Sequence, residues 1–227
     1  MFLSPGEAQR GDGTPRAAAS PSRDLGAAVR AALERDAAAA YAVSASSGVE
    51  ATDGAGSAPV LHAPNPAQGI DAFFTTEGVR VAPRAGADWR LEIRVAGFGA
   101  EGAVEPVAAA APSVGGRRVE YRRGDLVEWY ENGPRGIEQG FTLNAPPAGT
   151  ERGLPVRVEM AVRSDLEPAL DAEGRAVSWA APGAADPALR YDGLIAFDAG
   201  GRRLPRGWSW IAGASPSSST RPAPRIP

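Results

Sequence analysis

The sequence has no cysteine, no lysine and only one histidine, His62. Without cysteine there are no disulfides, no thiolate nucleophile and no zinc-thiolate site. With one histidine, any Ser-His-Asp triad would have to use His62, which stands in a proline-flanked stretch, Leu61-His62-Ala63-Pro64-Asn65-Pro66. No G-x-S-x-G elbow, paired-histidine motif, D-x-D-x-D-G calcium loop or phosphate-cradling glycine loop is present. His62 therefore reads as a surface histidine. Asp192-Gly193 and Asp198-Ala199-Gly200 read as turn residues. No catalytic residue, metal ligand or cofactor site is expected.

Long apolar runs are also missing. None approaches the roughly 18 residues of a membrane-spanning helix. The segment Met1–Gly11 has neither the basic start nor the apolar stretch of a secretory signal. A net charge of −3 gives no electrostatic footprint for nucleic acid.

What is present is turn chemistry and alternation. The 227 residues include 28 glycines and 21 prolines, enough for many turns, and a 43% apolar fraction, enough for a core. All 24 basic residues are arginine; with the abundant Ala, Gly and Pro this points to a GC-rich gene.

Residues 1–20 are rich in Gly, Pro, Ala and Arg without periodicity and read as disordered. Ser20-Pro21 suits a helix start, and Leu25, Val29, Leu33, Ala37 and Tyr41 recur every four residues, predicting a helix over 21–42. Residues 43–66 read as linker.

From residue 67 the period becomes two. Trp89, Leu91, Ile93 and Val95 alternate with Arg90, Glu92 and Arg94, and Leu154, Val156, Val158, Met160 and Val162 repeat the pattern. A helix, with period 3.6, cannot hold either set on one face. Shorter strands are expected at Gly78–Val81, Arg118–Arg122, Leu126–Tyr130, Ile137–Leu143, Ala176–Trp179 and Gly193–Phe197. The class is mainly β: an antiparallel β-sandwich over 67–205, preceded by one N-terminal helix, with disordered termini.

Residues 206–227 turn rich in Ser, Pro and Arg around Trp208-Ser209-Trp210 and read as a disordered tail. With Ser209 encoded by AGC or AGT and Ser215, Ser217, Ser218 and Ser219 by TCN, a reading one base out of phase gives strand-like text, so a frameshift near Pro205 is expected, against the alternative of a true Ser/Pro-rich tail.

The densest group of chemically capable residues runs from Glu128 to Phe141. Glu128 and Glu138, on consecutive strands beside Trp129 and Tyr130, offer a carboxylate pair of the kind glycoside hydrolases use. The structural alternative is a hairpin whose aromatics fill the core and whose glutamates form ion pairs or accept backbone bonds. Glu128, Trp129, Tyr130 and Glu138 are the candidate ligand-binding residues. Trp89, Trp129 and Trp179 form a carbohydrate platform if exposed and a core if buried, and core packing is the expectation.

The run from Glu128 to Leu143 resembles the β-rich N-terminal region of bacterial surface or secreted proteins that carry FG-GAP (integrin-alpha-like) or related β-propeller repeats. Leu61 to Phe74, Gly78–Val81, Val119–Tyr121, Tyr191–Leu194 and Asp198–Pro205 share the resemblance. It implies a structural or interaction module, secreted or at the cell surface, with a β-propeller following it in the full-length protein. It carries over no catalytic residues. The chain itself shows no export signal and no propeller repeat.

Overall fold

A computed structural model describes residues 2–4, 39–46, 60–150, 153–210 and 222–226. In chain order the strands are β1 (Phe2–Ser4), β2 (Ser44–Ala45), β3 (Leu61–Asn65), β4 (Ile70–Phe74), β5 (Val79–Pro83), β6 (Leu91–Ala100) and β7 (Ala103–Pro106). They continue with β8 (Ser113–Gly115), β9 (Arg118–Arg123), β10 (Leu126–Gly133), β11 (Gly136–Leu143) and β12 (Val156–Ser164). The last are β13 (Glu167–Leu170), β14 (Val177–Ala180), β15 (Leu189–Asp192), β16 (Gly207–Trp210) and β17 (Pro222–Ile226).

These strands form two antiparallel sheets. The first has the order β13-β14-β15-β1-β11-β10-β9-β8; the second has β16-β17-β12-β6-β5-β4-β3-β2, with β7 paired to β6. One buried cluster draws on both sheets: Leu3, Tyr121, Tyr130, Ile137, Trp179 and Tyr191 from the first, and Phe74, Leu91, Ile93, Met160, Val162 and Trp208 from the second. The mainly β, antiparallel expectation holds. The two strongest alternating segments, β6 and β12, are neighbours with paired registers, interrupted by an irregularity between Glu159 and Met160.

Several boundaries differ from expectation. Most of the helix expected over 21–42 lies outside the described residues. Its described end is a turn, in which the Ala42 amide donates to the Ala39 carbonyl at 3.1 Å. The expected linker contains β3, whose Leu61 and Ala63 are buried. Proline is tolerated there because β3 lies near the sheet edge, and the Pro64 carbonyl is used by a side chain, accepting from Asn132 Nδ2 at 2.7 Å. Within 1–20, Phe2–Ser4 is a strand that pairs with both β11 and β15 and buries Leu3 completely. In the expected tail, β16 and β17 pair with each other, β17 pairs with β12, and Trp208 is buried. Gly193–Phe197 is not a strand: the ladder runs one segment earlier, at Leu189–Asp192, and only Phe197 makes a bridge, to Arg203. Gly193, at φ 70°, takes the chain out of the extended conformation just after Asp192.

Polar side chains lock one end of the two sheets together. Asn65 Nδ2 donates to Asn132 Oδ1 and to the Gly133 carbonyl, both at 2.8 Å. Asn132 Nδ2 also donates to the Tyr41 carbonyl at 3.0 Å. Gln68 completes the clamp, its side-chain amide donating to the Pro134 carbonyl at 2.8 Å. Asn132→Ala strands several of these buried groups at once. The expected loss is about 2–4 kcal/mol in a denaturant titration, because each unsatisfied buried group costs roughly 1–3 kcal/mol. An unchanged midpoint would show that the clamp contributes nothing.

Candidate functional site

The candidate residues lie on the β10–β11 hairpin, and its register decides what they can do. Gly133 opposes Gly136, Glu131 opposes Glu138 and Glu128 opposes Phe141. Successive strand residues face opposite sides of a sheet. Glu128 and Glu131 differ by three positions, so Glu128 and Glu138 lie on opposite faces. The structure does not bring the two carboxylates together as a hydrolytic pair.

Glu128 faces the core, fully buried. Tyr130 Oη donates to Glu128 Oε1 at 2.6 Å, and Gln139 Nε2 donates to the same oxygen at 2.9 Å. Gln139 Nε2 also donates to Tyr130 Oη at 2.8 Å, and Gln139 Oε1 accepts from Tyr191 Oη. Arg123 Nε meets Glu128 Oε2 at 3.2 Å. Arg123 Nη1 donates to the Ala108 carbonyl, while Nη2 is buried without a partner. The arginine also lies over the Tyr121 ring, 5.0 Å from its centroid. Tyr121 Oη in turn donates to the Thr75 and Gly78 carbonyls of the second sheet at 2.8 and 3.0 Å.

Burial raises the Glu128 pKa above the ordinary carboxylate value, against the opposing pull of the Tyr130 hydrogen bond and the Arg123 charge. Burial first, and then the nearby Glu128 charge, push the Tyr121, Tyr130 and Tyr191 phenols well above their usual range. None of these phenols is a candidate base at neutral pH. The network links β9, β10, β11 and β15 by bonds that need these partners in this register.

Trp129 takes the other face. It opposes Gly140 across the hairpin, and its indole lies so close that a Cβ at Gly140 would stand 2.0 Å from the ring. Arg118 lies over the indole, 4.3 Å from the ring centroid. Arg118 also begins a run of ion pairs. It binds Glu120 at 2.9 Å, Glu120 binds Arg122 at 2.8 Å, and on the other side Glu131 binds Arg117 at 3.1 Å. The Arg118 contact holds the Glu120 carboxyl below its ordinary pKa. Glu138 shares this outer face. Trp89 and Trp179 are buried, as a core reading requires, whereas Trp129 is only half-buried.

His62 is half-buried on β3, bonded to Asp71 at 2.9 Å and stacked on Phe73 at 4.8 Å. Asp71 also binds Arg84 at 3.0 Å. Among the described residues no group of His, Cys, Asp and Glu is arranged to hold a metal ion. Arg123, Gln139, Tyr191, Asn65 and Asn132 were not singled out from sequence. The usable signal was Gln139, a polar residue at a core-facing position of an alternating strand.

The raised Glu128 pKa has a sign that can be checked. The folded state holds this proton more tightly than the unfolded state, so its contribution is fully present below about pH 4.3, the unfolded carboxylate value. That contribution is lost as pH rises through the folded value. The stability of the wild type relative to Glu128→Gln is therefore expected to increase as pH falls from about 7 towards 4. A difference that is flat with pH in parallel denaturant titrations would refute the assignment. A second expectation concerns Gly140→Ala, which forces Trp129 off the sheet. Its tryptophan emission should shift, and stability should drop by about 1–3 kcal/mol.

No protein-family model, curated protein or solved structure matches this chain.

Proposed function

We propose that the chain is a non-catalytic structural or interaction module of a bacterial extracellular or cell-surface repeat protein, followed in the full-length protein by a β-propeller. One observation carries the non-catalytic part: both oxygens of Glu128 are engaged inside the core by Tyr130, Gln139 and Arg123. A residue so held serves packing and register. The resemblance of the Glu128–Leu143 stretch supports the extracellular placement.

The test is turnover on a panel of glycans with the wild type, Glu128→Gln and Glu138→Gln. Activity that stays at background in all three is expected. A wild-type rate above background that either substitution abolishes would replace the proposal with an enzyme.

A second reading, carbohydrate binding, is favoured by Trp129, which lies on the outer face among charged side chains rather than in the core. Arg118 lies over that indole, so a sugar ring would displace the guanidinium to stack there. Tryptophan fluorescence titrated with the same glycans distinguishes the two. Quenching that disappears in Trp129→Ala supports binding, and a flat response removes it.

A further inference from the structure

Two large apolar side chains stand in water on one short segment: Ile195 is 50% exposed and Phe197 61%. Ala196 between them is buried. The segment is one arm of a tight turn. Phe197 bridges Arg203, the Leu204 amide donates to the Ala196 carbonyl at 2.9 Å, and the Asp198 amide donates to the Arg202 carbonyl at 3.0 Å. Asp198 closes the turn. Its Oδ1 accepts from the Gly200 and Arg202 amides at 3.0 and 2.9 Å, and its Oδ2 from Arg202 Nε at 3.0 Å.

The charge around the apolar pair is one-sided. Asp198 is held by Arg202, and Asp192 by Arg190 at 2.6 Å. Arg203 lies directly across from Phe197, and Arg206 donates through Nε to the Leu194 carbonyl at 2.9 Å. Both are exposed, and neither has a carboxylate partner among the described residues.

We propose that this turn, residues 194–206, docks the module on an anionic phospholipid surface. Ile195 and Phe197 enter the interfacial layer, while the guanidinium groups of Arg203 and Arg206 bind lipid phosphates. Guanidinium presents paired donors to phosphate oxygens. Stable peripheral attachment needs an apolar and a basic signal together, and this turn supplies both. A protein partner fits less well: a standard interface buries about 1,600 Å², and two apolar side chains on a charged turn are a small part of that. The attachment proposed is peripheral, made by this turn alone. The proposal does not depend on the function proposed above.

The experiment is co-sedimentation of the full chain with phosphatidylcholine vesicles, with and without about a third phosphatidylglycerol. Binding is expected to the anionic vesicles only and to weaken as salt is raised. Ile195→Ser with Phe197→Ser, and separately Arg203→Ser with Arg206→Ser, should each reduce it about tenfold or more. All four positions are exposed, so thermal melts should match the wild type and separate lost binding from lost folding. No sedimentation with anionic vesicles overturns the proposal. So does sedimentation that both double variants retain, or capture of an acidic protein by this turn in a chain that ignores vesicles.

Discussion

A carboxylate in the middle of a β core constrains everything near it. An ionisable group taken out of water is costly unless donors replace its hydration. Glu128 draws its donors from Tyr130 two residues on, Gln139 on the next strand and Arg123 on the previous one. Moving β9 or β11 by one residue would turn a donor to the outer face, and moving β10 would turn Glu128 itself away from Gln139 and Arg123. The same slip would turn the strand's apolar set, such as Val119 and Tyr121 of β9 or Ile137 of β11, out of the core, so apolar burial and the polar network select the same register. Tyr191 extends that selection to β15, whose hydroxyl bond to Gln139 passes over β1.

The same residues bind the layers together. The Tyr130 ring meets Phe74 of the second sheet edge-on at 5.0 Å, and the Tyr191 ring meets Trp208 at 4.9 Å. Tyr121 reaches the second sheet through its hydroxyl. Each tyrosine therefore fills apolar volume with its ring and satisfies a polar group with its hydroxyl. With the Asn65–Asn132 clamp at one end of the sheets, the inward-facing polar chemistry is largely consumed by holding the fold. The outer surface carries the remaining distinctive side chains: the arginine–glutamate run around Trp129, and the Ile195–Phe197 turn.

The strands legible in the sequence are those whose face alternates cleanly between water and core. Leu91–Ala100 and Val156–Ser164 are of this kind, because one side of each is polar enough to mark the other. The three-strand run Arg118–Arg123, Leu126–Gly133 and Gly136–Leu143 was legible for a second reason, since turn residues separate its members. What was missed lacked one of these marks. Leu61–Asn65 looks like linker because two prolines flank Asn65, yet β2 pairs only Leu61 and His62 of this strand, so Pro64 lies beyond the ladder on that side. Phe2–Ser4 is too short for any period to show, and its place depends on partners more than 130 residues away. Leu189–Asp192 follows a proline-containing loop, and the apolar run just after it drew the expected strand one segment too far. Gly207–Trp210 has few residues to alternate, and its partner, Pro222–Ile226, carries two prolines.

The alternative pairing of Glu128 with Glu138 fails on a different ground, the face on which each side chain stands. Pairing glutamates on consecutive strands considers distance along a hairpin but not the face on which each side chain stands. The turn signal Asn132-Gly133-Pro134-Arg135-Gly136 admits a two-residue loop at Pro134-Arg135, and loop length sets register. Gly133 then opposes Gly136, as it does in the structure, and every opposed pair follows. Glu138 falls opposite Glu131, and parity sends Glu128 to the other face. From there the surroundings can be read as well. Glu128 joins Tyr130 and Gln139 on the face that carries Ile137, which makes it a core residue in need of donors. Trp129 joins Glu131 and Glu138 on the wet face. What no local rule supplies is the identity of distant donors: nothing in the sequence near Gln139 points to Tyr191, fifty-two residues on. Register is local knowledge once the turn is recognised, whereas the closing of a buried polar network depends on how the sheets come together.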